Sequence, residues 1–124
     1  MNSSDLQNRS KKFAIEVINL AELLPNRPTG WIIGKQIIRS ATSVAANYRA
    51  VCRARSDKEF IAKMGIVIEE SDETLFWLEL IEEAKIIPQQ PETNKLKKEA
   101  NELTSIFVSS VKTVKARLSN KKKK

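Results

Sequence analysis

Between positions 34 and 87, a helix-forming stretch that carries only positive charge runs directly into a second that carries mostly negative charge. Few folds accommodate that order. In the first stretch Ile33, Ile37, Val44, Tyr48 and Val51 return at helical spacing, and neither proline nor glycine interrupts positions 39–55. Ala41, Ser43, Ala45 and Ala46 stand between them, short enough to let a neighbouring helix come close. Lys35, Arg39, Arg49 and Arg53 fall on one stripe with Thr42 and Ala46, at steps of four and three. With Arg27 and Arg55 added, positions 25–55 hold six basic residues and no acidic one. The second stretch opens on Ser56 with Glu59 three residues later, the pattern of a capping box, and Asp57 adds favourable charge to the first turn. Phe60, Ile61, Met64, Val67, Ile68, Leu75, Leu78 and Ile81 then form a wide apolar stripe. Positions 56–87 carry nine carboxylates against three lysines. The opposition predicts antiparallel neighbours that attract across their edges. Exposed ion pairs contribute only ~0.2–1 kcal/mol each, so they orient such helices more than they hold them.

Two further amphipathic stretches flank this pair. Leu6, Phe13, Val17, Leu20 and Leu24 give the first a spine, with a start near Ser4 and a capping box from Ser4 and Gln7. The last runs on Leu96, Ala100, Leu103, Phe107, Val111, Val114 and Leu118. Pro25, Pro28 and Gly30 break the chain after the first stretch, and Pro88 and Pro91 break it after the third. Helices are therefore expected over 4–24, 30–54, 57–86 and 91–118. Short connections make an all-α, antiparallel up-down-up-down four-helix bundle the economical solution, one domain over 1–120 with a disordered basic tail over 121–124. Trp31 is expected to close one end of the core. Gly65, inside the third helix, costs ~1 kcal/mol against alanine and is expected to mark a close helix crossing that recovers it. Apolar and small residues on more than one side of the third helix suggest association into a homo-oligomer.

The residue inventory excludes most chemistry. With no histidine there is no histidine-based triad and no ordinary zinc or di-iron bundle site, and no glycine-rich phosphate loop is present. No catalytic residue, metal or cofactor is expected, and the chain reads as a non-enzyme. The single cysteine, Cys52, suits a reducing cytoplasm and is most simply a small packing residue. No targeting or membrane-spanning stretch is apparent. A formal charge of +7 includes the four lysines of 121–124. What remains is the basic stripe: Lys35, Arg39, Arg49, Arg53 and Arg55 make a candidate nucleic-acid surface, RNA or DNA, acting through phosphate contacts. The alternative is that these cations pair with the acidic helix of the same subunit or the next, which gives a scaffold that binds itself or another protein.

Gln36-Ile37-Ile38-Arg39-Ser40-Ala41-Thr42-Ser43-Val44-Ala45-Ala46-Asn47, followed by Arg53-Ala54-Arg55-Ser56-Asp57-Lys58-Glu59-Phe60, resembles the four-helix-bundle family associated with intervening sequences in bacterial large-subunit ribosomal RNA genes. The likeness covers nearly all of 6–118. It implies a small cytoplasmic antiparallel bundle assembled as a ring-like pentamer, with a basic surface used in related proteins to bind nucleic acid. The family motif falls on Gln36, Arg39, Ser43, Asn47, Glu59, Phe60 and Glu73, and implies no enzyme chemistry for them. Where the family commonly continues Ile-Ala-Glu-Gly after the asparagine, this chain reads Tyr48-Arg49-Ala50-Val51, losing a glutamate and gaining an arginine. Asn47 is expected to be either a buried hydrogen-bonding residue that fixes helix register or a contact at a subunit seam.

Overall fold

The computed structural model describes residues 1–123 as four helices: α1 (Ser3–Ala21), α2 (Pro28–Val51), α3 (Asp57–Glu83) and α4 (Pro91–Lys123). Each helix packs on its sequence neighbour, and α4 closes the cycle on α1 through a more sparsely packed seam. Glu82 with Lys97, Ser71 with Thr104 and Asp57 with Arg117 step in opposite directions along α3 and α4, so those two run antiparallel. The up-down-up-down bundle expected from the periodicity is what forms.

The core follows the sequence stripes. Phe13, Val17, Ile37, Val44, Val51, Met64, Val67, Leu78, Ile81, Leu103 and Phe107 are sealed from solvent. Fully burying side chains of this size is worth ~1.5–3 kcal/mol each. Across the α2–α4 diagonal the Tyr48 and Phe107 rings meet with centroids 5.4 Å apart. Three buried hydroxyls sit where α2, α3 and α4 approach closely. Thr74 Oγ1 donates to Ser40 Oγ at 2.9 Å, and Ser40 Oγ donates to the Ile37 carbonyl at 3.2 Å. Ser71 Oγ lies 2.6 Å from Thr104 Oγ1, which donates to the Ala100 carbonyl at 2.7 Å. An unpartnered buried hydroxyl would cost ~1–3 kcal/mol, and among the described residues no buried side-chain polar atom lacks a partner.

Several helix ends differ from expectation, each for a local reason. Asn2, not Ser4, caps α1: its Oδ1 accepts from the Asp5 amide at 2.8 Å, and Asp5 Oδ2 accepts from the Asn2 amide at 3.3 Å. A carboxylate in the first turn adds a charge term that Gln7 lacks. Pro28 opens α2 instead of delaying it to Gly30, because a proline at the first helical position gives up only an amide that has no intrahelical acceptor. Ser56 caps α3 through the Glu59 amide at 3.1 Å, but the Glu59 side chain pairs with Lys63, so the reciprocal half of that box is absent. α3 ends at Glu83, before the proline. Lys85 adopts a left-handed φ of 53°, its amide bonds the Glu82 carbonyl, and the Ile86 amide bonds the Ile81 carbonyl. This is the 6→1 and 5→2 pairing that closes a helix, with lysine in the place glycine usually takes. α4 continues past Leu118 because nothing breaks it. The helical backbone includes 121–123, where disorder was expected, and Lys124 lies outside the described residues.

Two further expectations are corrected. Trp31 does not close the core: it is 59% exposed, and its Nε1 donates to Asn26 Oδ1 at 2.8 Å. Gly65 marks no helix crossing, since a Cβ there would meet nothing within 4 Å. Gly30 is the glycine that the packing requires, because a Cβ would lie 1.9 Å from the Pro25 carbonyl oxygen. Opposite outcomes follow for alanine at the two positions. Gly65→Ala is expected to stabilise by ~0.5–1 kcal/mol through helix propensity alone. Gly30→Ala is expected to destabilise by ~1–3 kcal/mol, as overpacking does. Urea unfolding of the two variants beside the parent checks both signs, and a shift of the same sign in both would contradict this packing.

Candidate nucleic-acid interface

The stripe predicted on α2 faces outward, and Lys35, Arg39, Arg49, Arg53 and Arg55 are all exposed. They do not share one environment. Arg39 reaches across to α3, where Nη1 donates to Glu70 Oε2 at 3.0 Å and Nη2 to Glu73 Oε2. Its Nε donates to Gln36 Oε1 at 3.3 Å. Glu73 also accepts from Trp77 Nε1 at 2.9 Å. The Trp77 bond, followed by the Arg39 contact, holds the Glu73 carboxyl below its ordinary value, while the bond to Glu73 raises the Arg39 guanidinium. Gln36, Arg39 and Glu73, three residues of the family motif, therefore form one cluster across the α2–α3 seam. Arg39 is engaged there and stands apart from the other cations.

Lys35, Arg49, Arg53 and Arg55 make no ion pair among the described residues. Register explains the difference. Ser40 lies level with Thr74, so antiparallel helices set positions 49–53 level with 61–65, and α3 has no carboxylate between Phe60 and Ile68. Arg49 thus has no carboxylate level with it, and Glu59, the nearest to the level of Arg53, pairs with Lys63 instead. Lys35 is fourteen residues from Arg49, roughly 21 Å along the helix at 1.5 Å per residue, and is not brought together with it.

On its other side α2 meets α1, and there a groove of about 720 Å³ opens. Ala14, Ile15, Ile18, Ala45 and Ala46 line it with small and apolar groups, Gln7, Asn8 and Thr42 add polar ones, and Lys11, Arg49 and Arg53 supply charge. No carboxylate lines it. Three cations around a carboxylate-free groove can hold an anion, with arginine forks suited to phosphate oxygens. Arg55 extends the positive surface into the α2–α3 connection, at the end of the bundle where α4 brings the exposed Lys112, Lys115 and Lys121. Arg117 at that end is engaged with Asp57 at 3.2 Å.

Lys11 is the residue that the sequence reading passed over, because the charges of α1 nearly cancel as a sum. Its signal was positional: Ala14, Ile15 and Ile18 follow it at three, four and seven, which sets it on the side of α1 that lines the groove. The remaining motif residues have local roles. Asn47 is half-buried and its Nδ2 donates within its own helix, to the Ser43 carbonyl at 2.9 Å and Ser43 Oγ at 2.8 Å. Phe60 packs against the edge of the core. Cys52 is exposed at the groove's end. Among the described residues no group of three potential ligands converges on a metal position, and no helix is long and apolar enough to cross a membrane.

Residues 2–109 match the family described as 23S rRNA-intervening sequence protein. Among solved structures, the chain is similar to a protein of unknown function from the S23 ribosomal protein family of Bacteroides thetaiotaomicron. The identity is 32% and the TM-score 0.79, with 86% of this chain and 98% of the other covered. No curated protein matches the chain.

The Glu73 cluster yields a pH dependence with a defined sign. A carboxyl lowered in the folded state contributes stability that is complete above its unfolded value, near 4.5, and is lost as pH falls through the lower folded value. Glu73→Gln is therefore expected to destabilise at neutral pH and to flatten the acid limb of stability against pH below about 4.5. Thermal melts of parent and variant between pH 3 and pH 7 check it, and parallel curves would exclude Glu73 as a source of that limb.

Proposed function

The chain belongs to the 23S rRNA-intervening sequence protein family, and on that footing we propose that it is a nucleic-acid-associated bundle that works as a homo-oligomer in the cytoplasm. Family membership, together with a sequence that has no histidine and no nucleophile paired with a base, supports a non-enzymatic role. The observation that carries the reading is the unpaired, carboxylate-free set of Lys11, Arg49 and Arg53 on the α1–α2 groove, continued by Arg55. Polyanion binding uses cations that have no internal partner, since displacing a carboxylate would offset much of the gain. Arg39 is left out of the contact set on that ground, and Lys35 on distance.

Phosphate contacts of this kind select for backbone charge over base sequence. RNA is favoured over DNA by the family's link to a ribosomal RNA gene region alone. The resemblance implies a pentamer, and several copies of one weak phosphate site on a single particle raise avidity without any new contact. The competing reading is a protein-binding scaffold with no nucleic-acid ligand, and the Arg39 pairing with Glu70 and Glu73 shows what such use of charge looks like within one subunit.

The experiment compares the protein lacking 121–124 with its Arg49→Ala/Arg53→Ala variant, on structured RNA, single-stranded RNA and duplex DNA across a salt series, with particle mass recorded in parallel. Loss of two phosphate contacts is expected to weaken binding and to reduce the slope of log K against log salt by about 1.4–1.8, with mass unchanged. Binding that vanishes with the tail, or that the double variant leaves unaltered, would transfer the reading to the scaffold.

A further inference from the structure

We infer that copies of this chain meet head to tail, the outward face of α3 around Phe76 in one copy seating on the first turns of α2 around Trp31 and Ile32 in the next. The inference rests on the self-association part of the reading above and specifies its surfaces.

The outward side of α3 is mostly charged, yet large apolar residues stand among its carboxylates. Beyond its core stripe, it leaves Phe76 51% and Ile66 47% exposed. Within the bundle only α2 and α4 cover α3, and neither reaches these two side chains. α2 begins with a second such patch, Trp31 at 59% and Ile32 at 62% exposed.

Both patches are held in place. The Trp31 indole is tied to Asn26, and the Phe76 ring stands edge-on to Trp77 at 5.0 Å, itself bonded to Glu73 and through it to Arg39. Aromatic groups already fixed in the free protein lose little freedom on contact, which is the property of residues that dominate interfaces.

The flanking charges identify a second copy as the occupant. Arg27 and Lys35 border Trp31 and Ile32 with no carboxylate among their sequence neighbours, and Glu69 and Asp72 border Phe76. All four are exposed and none is in an ion pair among the described residues. Positions 27–35 extend over roughly 12 Å and 69–76 over roughly 10 Å at 1.5 Å per residue, so the two patches match in length as well as in sign. Because the faces differ, each copy keeps one of each kind free and the contact propagates, closing into a ring where the rotation allows. It uses none of Lys11, Arg49 or Arg53.

Sedimentation velocity of the full chain tests this with three variants: Arg27→Glu/Lys35→Glu, Glu69→Lys/Asp72→Lys, and all four together, with far-UV circular dichroism confirming the helical fold of each. The expected result is an assembled parent, at least tenfold weaker association for either reversal, and recovery when the four are combined. Phe76→Ser is expected to weaken association at least tenfold. A monomeric parent overturns self-association and this contact together. An assembled parent that neither reversal disturbs, or reversals whose combination does not recover, overturns this contact alone.

Discussion

The seam between α2 and α3 fixes the rest of the molecule. Ser40, Ala41 and Thr74 are all fully buried, and their small side chains let the helices approach until hydroxyl meets hydroxyl. Larger residues at these positions would push the axes apart and leave Phe13, Ile37 and Leu78 loosely packed. The hydroxyls also mark the register, because a shift of either helix would break the Thr74–Ser40 bond and leave each hydroxyl only a carbonyl of its own helix, Glu70 for Thr74 and Ile37 for Ser40. Arg39 repeats that register at the surface by bonding Glu70 and Glu73, although ion pairs so open to water add direction more than strength.

Once the register is set, the distribution of charge follows. Arg39 and Arg49 occupy one stripe of one helix and look alike in sequence, yet the first lies level with carboxylates and the second with Gly65 and its apolar neighbours. The cations of α2 are therefore divided between Arg39, which serves the seam, and Lys35 and Arg49, which make no ion pair among the described residues.

Most of the fold could be read from the sequence because helical period and proline placement are local properties. Leu6, Phe13, Val17, Leu96, Leu103 and Phe107 are recognisable from spacing alone, and all are buried. What escaped depends on partners distant in sequence or on small differences between local alternatives. Asn2 and Ser4 are both good caps, and the choice turns on the charge of the residue three positions on. Lys85 closes α3 in a conformation for which lysine gives no signal. Trp31 looks like core by size, but its indole finds a partner in Asn26 outside the core. The candidate site was legible in its residue types and not in its grouping: Arg39 leaves it, Lys35 is too far along the helix, and Lys11 enters from α1.

The exposed aromatic groups lie away from the unpaired arginines of the α1–α2 groove, and this bears on how one small fold could both assemble and bind a polyanion. Where α1 ends and α2 begins, the exposed large apolar groups are Leu23, Trp31 and Ile32, with Arg27 and Lys35 beside the last two. Where α2 ends and α4 finishes, they are Arg49, Arg53, Arg55, Lys115 and Lys121. An interface laid over the second group would bury unpaired arginines, and the cost of stripping water from each would oppose assembly unless carboxylates arrived with the partner. An interface on the aromatic patches brings Glu69 and Asp72 to Arg27 and Lys35, which offsets that cost, and leaves the arginines of the groove in water. Under the proposed function, phosphate binding would strengthen as copies accumulate, since each adds weak contacts to one particle, and raising salt would weaken it.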